Sequence, residues 1–318
     1  MKKISIIIPC YNCGEFIRET ICSVMSENNN NFELILINDG STDNTQDILD
    51  EISKNNIGLK IIIFSQENKG VSHARNKGIE LSSGEIIVFL DSDDIFSFGY
   101  IEYLQKLFED NDLDVVCCYR TNSRNTLFRY DRETVVGKYV KPVELLKEYT
   151  YSKRNIVFPC FSYKSSVIKN NNLLFSTDLR YGEDWEFVTK ALSHCNKGYQ
   201  IKEKTYWYRV SAKSASRKIT WHQTDVIEAA KRSSDYLLLR NNEFAEEFSI
   251  YMYSRSLFSV LHRFASSNQN ILYWKLIKEY DVRNSMNIIL KSSSFDWKTK
   301  LAAFVFIVSP KLFYRVVK

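Results

Sequence analysis

Residues 1–119 alternate short apolar runs with stretches that have the apolar period of amphipathic helices. The apolar runs predict five strands, at Ile4–Ile8, Glu33–Asn38, Leu59–Phe64, Ile86–Leu90 and Val115–Tyr119. The helical period predicts connecting helices at Glu15–Met25, Thr45–Lys54, Val71–Leu81 and Phe98–Glu109. Strands that alternate with helices are typical of an α/β protein with a doubly wound, mainly parallel sheet.

The rest of the chain has a different pattern. Residues 120–180 mix polar and aromatic side chains and predict little regular structure. A helix is predicted from Glu183 to about Ser193, and a strand at Tyr206–Val210 is followed by a loop rich in Ser and Lys. From Asp225 onward the periodicity is mostly helical, which predicts a separate helical region at the end of the chain.

The composition fits a folded protein with a sizeable core. The 318 residues are 44% hydrophobic and 25% charged, which suits one large or two smaller domains. We expect an α/β domain at residues 1–220 and a helical region at residues 221–318, with the boundary between residues 215 and 225. The net charge of +5 is small and concentrated late in the chain, which disfavours nucleic acid as a partner and favours a membrane surface.

Three carboxylates, Asp91, Asp93 and Asp94, directly follow the predicted strand Ile86–Leu90. In open α/β sheets, ligands bind at the carboxyl ends of the strands. Crowded carboxylates repel one another, and a hard cation such as Mg²⁺ or Mn²⁺ removes that repulsion while leaving positions for phosphate oxygens. The sequence therefore predicts a metal-diphosphate site. The alternative is that Asp93 or Asp94 caps the next helix and the other carboxylates are solvated.

Other kinds of site are disfavoured. An EF-hand loop that began at Asp91 would need an oxygen ligand and a glycine where Ile95 and Phe96 stand. Cys10 and Cys13 form a C-x-x-C pair without a second ligand pair, so we expect no zinc, and reduced thiols in the cytoplasm are the default for the cysteines. The sequence has no glycine-rich dinucleotide motif after the first strand and no P-loop motif.

Further candidate residues lie at other predicted strand ends and beside a helix. A carboxylate at Asp39 suits the imide N–H of uracil or a ribose hydroxyl, or else it forms an Asx turn. Tyr11 suits stacking on a base, although an aromatic residue after a strand also packs in cores. Arg75 suits a pyrophosphate or a base, and its alternative is an ordinary surface charge.

Glu183 and Asp184 stand at the start of a predicted helix. Carboxylates are favoured there by exposed N–H groups and the helix dipole, which explains them without any catalytic role. The functional alternative is a general base that accepts a proton from an attacking hydroxyl. Trp185 beside them is either a flat surface for a sugar or a core residue.

The order of these motifs resembles the inverting glycosyltransferases of family 2, which have the GT-A fold. The resemblance extends from Ser5 to about Arg217. It lies in five successive motifs, Pro9-Cys10-Tyr11-Asn12, Asp39-Gly40-Ser41-Thr42-Asp43, Asn68-Lys69-Gly70 with Ala74-Arg75-Asn76, Asp91-Ser92-Asp93-Asp94 and Gly182-Glu183-Asp184. The implied fold is a GT-A-like doubly wound sheet followed by a mostly helical C-terminal region.

The resemblance also implies roles for single residues. The side chains expected at the nucleotide are Pro9, Tyr11, Asp39 and Arg75. Asp91 is expected on the ribose side of the nucleotide and, with Asp93, at the metal ion, Mn²⁺ or Mg²⁺. Arg209 and Arg217 are expected as phosphate contacts.

The implied reaction moves a sugar from a nucleotide diphosphate, UDP, to an acceptor hydroxyl with inversion, as in surface polysaccharide assembly. Asp184 would be the general base, with Glu183 beside it, and the acceptor would be a saccharide or a lipid-linked saccharide. One rival is a haloacid-dehalogenase-like phosphatase, whose D-x-D motif also follows a strand, although Ile95 occupies that motif's last position. The other is a non-catalytic nucleotide-sugar-binding scaffold.

The last segment, Trp297–Lys318, combines an apolar run at Leu301–Val308 with basic and aromatic residues and no acidic residue. The run is too short to cross a bilayer. It predicts an interfacial anchor, which would place a cytoplasmic protein at the inner face of the plasma membrane. The alternative is a helix that closes the core of the C-terminal domain or forms a homodimer contact.

Overall fold

The computed structural model describes residues 2–25, 31–56, 58–127, 137–151, 155–210 and 219–317. The chain forms two compact units, which are Met1–Thr177 with Ala191–Ser211 and Asp178–Lys190 with Ala212–Lys318. The first unit contains the sheet, and the second contains helices only among the residues that the structure describes. The predicted division at residues 215–225 stays a prediction.

Nine strands of the described chain form one sheet. They are β1 Ile4–Cys10, β2 Phe32–Asp39, β3 Lys60–Gln66, β4 Ile86–Phe89, β5 Ile95–Phe96, β6 Val115–Thr121, β7 Gly137–Val140, β8 Phe161–Lys164 and β9 Gly198–Trp207. The order is β3-β2-β1-β4-β8-β6-β9-β5, with β7 paired to β9. Strands β3, β2, β1 and β4 are parallel neighbours, whereas β8 is antiparallel to both β4 and β6. The predicted α/β class is confirmed.

Helices connect and follow these strands. Those of the first 177 residues are α1 Ile17–Met25, α2 Thr45–Asn55, α3 Val71–Leu81, α4 Tyr100–Asp110, α5 Pro142–Tyr151 and α6 Ser165–Lys169. The later ones are α7 Glu183–Ser193, α8 Asp225–Leu239, α9 Ala245–Ser266, α10 Asn270–Glu279, α11 Val282–Lys291, α12 Trp297–Val308 and α13 Pro310–Val317. No helix in the described ranges is both long and apolar enough to span a membrane. The predicted helical end of the chain is confirmed.

The elements predicted in residues 1–119 are all present, with ends that differ by at most two residues. The predicted strand Tyr206–Val210 is wrong in its position, because β9 runs over Gly198–Trp207. The strand ends there because the backbone N–H of Arg209 donates to the Asp94 carboxylate instead of continuing a ladder. The omissions include β8, a short strand whose neighbours in the sheet come from distant parts of the sequence.

The centre of the sheet is apolar on both faces. All residues of β1, β2 and β4 are buried, as expected for parallel strands that carry helices on both sides. Helix α3 lies close to β1 because Gly78 has no side chain: a Cβ there would come within 2.2 Å of Ile7 Cγ2. This close packing fixes α3, and hence Arg75, against the sheet.

Candidate functional site

The loops that follow β1, β2 and β4 meet at the carboxyl edge of the sheet, as the sequence predicts. The Asn12 side chain binds the loop after β2, because its Oδ1 accepts from Thr42 N at 2.7 Å. Its own backbone N–H donates to Ser41 Oγ at 3.0 Å. On the other side, Thr20 Oγ1 donates to the carbonyl of Ser92 at 3.0 Å, which fixes residues 91–94, called the acidic loop below, to α1. The convergence of three polar loops is therefore confirmed.

Asp91 is held by a buried arginine. The Arg75 guanidinium donates to Asp91 Oδ1 at 2.9 Å, and Arg75 itself is buried. Its Cζ lies 4.6 Å from the ring centre of Phe158 and 5.3 Å from that of Phe175, so aromatic rings surround the cation. The alternative that Arg75 is an ordinary surface charge is wrong. The ion pair keeps one oxygen of Asp91 turned toward α3.

Asp39 is buried at the end of β2 and secures the loop that leads to α3. Its Oδ1 accepts from Lys69 N at 2.9 Å and its Oδ2 from Gly70 N at 2.8 Å. Gln66 Nε2 also donates to Oδ1, at 2.7 Å. The Asx-turn alternative for Asp39 is wrong, because the N–H of Ser41, two residues on, donates to Asn38 Oδ1 at 3.0 Å instead.

Pro9 and Tyr11 occupy different environments although they are two residues apart. Pro9 is buried within β1, beside Ile37 of β2. The Tyr11 side chain lies beyond the strand end and is 51% exposed. Of the two, only Tyr11 presents a ring to solvent at the sheet edge, where a base can stack on it.

Asp93 is half-buried beside two other carboxylates. In the described ranges, its carboxylate forms no hydrogen bond with another residue. Burial raises the pKa of Asp93, and the negative charge of Asp91 raises it further. Within the described ranges, the charge of Asp93 is therefore only partly compensated, by the nearby Arg209.

Asp94 is fully buried and fixes the acidic loop from behind. Its Oδ1 accepts from Arg209 N at 2.8 Å, and its Oδ2 accepts from the hydroxyl of Tyr206. Burial, together with the charges of Asp91 and Asp93, raises the pKa of Asp94 to about 8. These contacts join the acidic loop to the end of β9.

The capping alternative for Asp93 and Asp94 is wrong. Helix α4 begins at Tyr100, and its N-cap residue is Gly99, which has φ 82° and offers no side chain. The carboxylate of Asp94 instead accepts from the end of β9. The acidic loop is thus a separate feature, and the helix that follows does not account for its carboxylates.

Arg209 links the acidic loop to α1. Its Nε donates to the carbonyl of Asp93 at 2.7 Å, and its guanidinium pairs with Glu19. Arg124 also pairs with Glu19, at 2.5 Å. Sequence reasoning missed Glu19 and Arg124, because residues so far apart in the chain carry no local pattern that predicts their pairing. The predicted phosphate contact at Arg217 lies outside the described residues.

The second unit contains the predicted general base. Helix α7 begins at Glu183, after Gly182, whose φ of 90° is a conformation that glycine adopts readily. Glu183 is buried and Asp184 is half-buried, with its Oδ1 accepting from Trp185 N at 2.8 Å. The Trp185 ring lies under the Arg255 guanidinium, 5.3 Å from its Cζ. Of the two carboxyl groups, that of Asp184 is therefore the more exposed.

The acidic loop fits a metal ion that brings other ligands with it. Among the residues that the structure describes, no group of three or more His, Cys, Asp or Glu side chains is arranged to hold a metal. Mg²⁺ is usually bound through one or two carboxylates together with water and substrate phosphates. Asp91 and Asp93 supply such a donor set, since both offer hard carboxylate oxygens and the charge of Asp91 acts on Asp93. The residues present therefore fit a hard divalent cation.

Solved structures share the fold. TarS from S. aureus, crystallised as residues 1–349 with UDP-GlcNAc, superimposes with a TM-score of 0.69 at 19% identity, covering 99% of this chain and 90% of the crystallised TarS fragment. The mannosyltransferase PcManGT from Pyrobaculum calidifontis, in complex with GDP-Man and Mn²⁺, gives 0.55 at 14% identity, covering 98% and 88%. At such identities the similarity is evidence for the fold, and the predicted GT-A-like architecture is confirmed.

Sequence relatives identify the family. EpsJ of Bacillus subtilis, described as an uncharacterized glycosyltransferase, is 31% identical over 222 residues, which are 66% of this chain. The chain spans 62% of the length of EpsJ. The family model described as "Glycosyl transferase family 2" matches residues 5–171, which is more than half of the chain. The protein therefore belongs to glycosyltransferase family 2.

Proposed function

We propose that this protein is an inverting glycosyltransferase that moves a sugar from a nucleotide diphosphate to an acceptor hydroxyl. The observation that carries the proposal is the acidic loop, where Asp91 and Asp93 stand together at the carboxyl end of β4, beside the loops after β1 and β2. A diphosphate is anionic, so it needs a bridging cation at such a site. Membership of family 2 supports the same reaction class.

The proposed donor is a UDP-sugar. The exposed ring of Tyr11 would stack on the uracil, and Asp39 has a carboxylate at the same edge. Arg75 would act through Asp91, because their ion pair fixes the carboxylate on the proposed ribose side. The complex of TarS with UDP-GlcNAc supports a uridine nucleotide as the donor here, whereas the complex of PcManGT shows that the same fold also binds GDP-Man.

The proposed cation is Mn²⁺ or Mg²⁺, held by Asp93 with Asp91 beside it. When bound, such a cation supplies Lewis acidity that stabilises the negative charge of the departing diphosphate. Asp94, Tyr206 and Arg209 would keep the loop in the binding geometry through their hydrogen bonds. The presence of Mn²⁺ in the PcManGT complex supports a metal for this fold.

The proposed general base is Asp184, and Glu183 supports the start of α7. Asp184 would take the proton of the acceptor hydroxyl while that oxygen forms its bond to the anomeric carbon. The bond from that carbon to the diphosphate breaks in the same displacement, which inverts the anomeric configuration. The proposed acceptor is a saccharide or lipid-linked saccharide of a surface polysaccharide, which would place the reaction at the inner face of the plasma membrane.

A donor panel tests the proposal. The full chain is incubated with UDP- and GDP-sugars, with and without Mn²⁺, and release of nucleotide diphosphate is measured. We expect release from a UDP-sugar that depends on the metal and that Asp93→Asn lowers by about ten- to a hundredfold at donor concentrations below saturation, whereas the exposed Asp110→Asn leaves it unchanged.

Two other outcomes would contradict the proposal. Trapping of a phosphoaspartate from a phosphate monoester, without release from nucleotide sugars, would identify a phosphatase. Metal-dependent binding of UDP-sugar without turnover in the presence of saccharide and lipid-linked acceptors would identify a binding scaffold.

A further inference from the structure

The two last helices present an apolar surface to solvent. On α12, four side chains recur at the spacing of one helix face, Trp297, Leu301, Phe304 and Val308. Leu312 and Val316 repeat this on α13. All six are between 45 and 68% exposed, so this face covers no core of the described chain. We call these six residues the apolar face.

The opposite sides of the same helices are packed and hold this face in place. Phe306 and Phe313 are buried, with ring centres 5.8 Å apart. Tyr273 of α10 donates to the carbonyl of Pro310 at 2.8 Å, and Tyr314 donates to Asn268 Oδ1 at 2.9 Å. The alternative for this segment is a helix that closes the core of the C-terminal domain. One side of α12 and α13 does pack in the core, but this packing does not explain the apolar face.

The side chains within α12 and α13 carry charge of one sign. Residues 297–317 contain four cations and no acidic residue, although the whole chain has nearly balanced charge. The cations are Lys298, Lys300, Lys311 and Arg315, and all but the half-buried Lys300 are exposed. A surface that combines a fixed apolar stripe with unbalanced positive charge complements a bilayer with anionic headgroups. A second copy of the same surface would add repulsion between like charges.

We propose that the apolar face of α12 and α13 docks on the surface of a bilayer that contains anionic lipids. Trp297, Leu301 and Phe304 would enter the boundary between headgroups and acyl chains, while the lysines stay at headgroup level. This proposal does not depend on the transferase activity, so a failure of either leaves the other standing.

Vesicle co-sedimentation of the full chain tests the proposal. We expect binding to vesicles of phosphatidylcholine with phosphatidylglycerol, weak binding to phosphatidylcholine alone, and weaker binding at high salt. The triple variant Leu301→Ser, Phe304→Ser, Val308→Ser should lose at least about a hundredfold in affinity, because three exposed side chains no longer bury apolar area. The matched control is Leu239→Ser with Ile250→Ser, which removes exposed apolar side chains from other helices and should bind as wild type.

A second pair of variants tests the charge. Lys298→Gln with Lys311→Gln should weaken binding to anionic vesicles by about five- to fiftyfold, since each headgroup-level cation contributes several-fold. Lys54→Gln with Lys202→Gln removes two exposed cations of the sheet-containing unit and should have little effect. Circular dichroism melts of all variants confirm that the exposed substitutions leave the fold intact.

Three results would overturn the proposal. One is failure of the full chain to bind anionic vesicles at low salt. Another is an equal loss of binding in the two control variants. The third is a dimer in sedimentation equilibrium that the triple variant abolishes, together with no vesicle binding, which would assign the face to a second copy of the chain.

Discussion

The two ends of the sheet carry carboxylates in opposite electrostatic environments. At the amino end, Glu33 at the start of β2 is buried and saturated with donors. It accepts from Ser5 Oγ at 2.7 Å and pairs with Lys3 at 2.8 Å and Lys60 at 2.7 Å. Burial alone would raise the pKa of Glu33, but the two lysines and the N–H of Ser83 outweigh it and hold the pKa well below its usual range.

At the carboxyl end of the sheet, the pKa of two carboxylates is raised instead of lowered. Asp91, Asp93 and Asp94 stand in one loop, and burial and mutual repulsion raise the pKa of both Asp93 and Asp94. The available arginines pair with Asp91 and with Glu19, so no cation from the described chain pairs with Asp93. We therefore propose that Glu33, whose counter-charge the fold supplies, serves stability, and that Asp93, which pairs with no cation of the described chain, serves binding.

The largest expected effect concerns Glu183 and Asp184 at the start of α7. We expect these neighbouring acids to differ in the same way, one serving stability and the other the reaction. Asp184→Asn should lower the transfer rate at least about a hundredfold with donor affinity unchanged, because an amide keeps the shape but cannot accept the proton. Glu183→Gln should affect thermal stability more than transfer, because Glu183 is buried. Single-turnover transfer and UDP calorimetry check both variants. If Glu183→Gln were the inactive one, the roles would be reversed.

Asp93→Asn should give the next largest effect. We expect metal-dependent affinity for UDP to fall about ten- to a hundredfold, because a neutral amide is a poor ligand for a hard cation. The melting temperature should stay the same or rise, because one member of a repelling cluster loses its charge. Calorimetry of UDP with Mn²⁺ provides the measurement. A strong loss of stability would place Asp93 with the structural acids and remove the contrast.

Glu33→Gln should show the opposite pattern. It should reduce the free energy of unfolding by about 1–3 kcal/mol, because a buried acceptor of several donors loses its charge, and it should leave UDP affinity unchanged. The matched control is Glu51→Gln, which breaks an exposed pair with Arg18 and should leave the free energy of unfolding unchanged within the precision of the measurement. Urea unfolding with donor titration distinguishes the two, and equal losses would contradict our interpretation.

The pH dependence of stability gives a second test of the stabilising role of Glu33. The pKa of Glu33 is lowered by folding, so its contribution is fully present above the pKa of the unfolded chain, about 4.3. It is lost as the pH falls through the lower, folded-state pKa. We expect wild type to lose stability below about pH 5, and Glu33→Gln to have a shallower slope there. Parallel acid profiles for the two proteins would show that Glu33 is not responsible.

The smallest effect tests the support behind the acidic loop. Tyr206→Phe removes the hydroxyl that donates to Asp94, which should cost about 1 kcal/mol in stability and less than about tenfold in metal-dependent UDP affinity. The control is Tyr139→Phe, whose hydroxyl binds Asn111 at the surface. Thermal melts and UDP titration measure both. Wild-type behaviour of Tyr206→Phe would mean that Arg209 alone holds Asp94.

The sequence by itself determined the first half of the sheet and the position of the acidic loop. Strands β1, β2 and β4 consist mainly of apolar residues because both of their faces are buried, and such runs are visible without the fold. Their polar ends meet because parallel strands share one carboxyl edge. The helix α7 and the acids at its start were likewise predictable from local periodicity and local residue order.

Only the tertiary structure decided which carboxylates have counter-charges. Asp94, Asp93 and Glu33 differ in their electrostatic environment because they contact different partners. These partners are Tyr206, Arg209, Lys60 and Ser83, which strand order and loop packing bring close in space. A local sequence pattern does not predict contacts between residues that are far apart in the chain. For the same reason, β8 and the ion pair of Arg124 with Glu19 were not predicted. The sequence gives the sign of each charge. Whether an opposite charge lies close enough to compensate it depends on distances that only the tertiary structure determines.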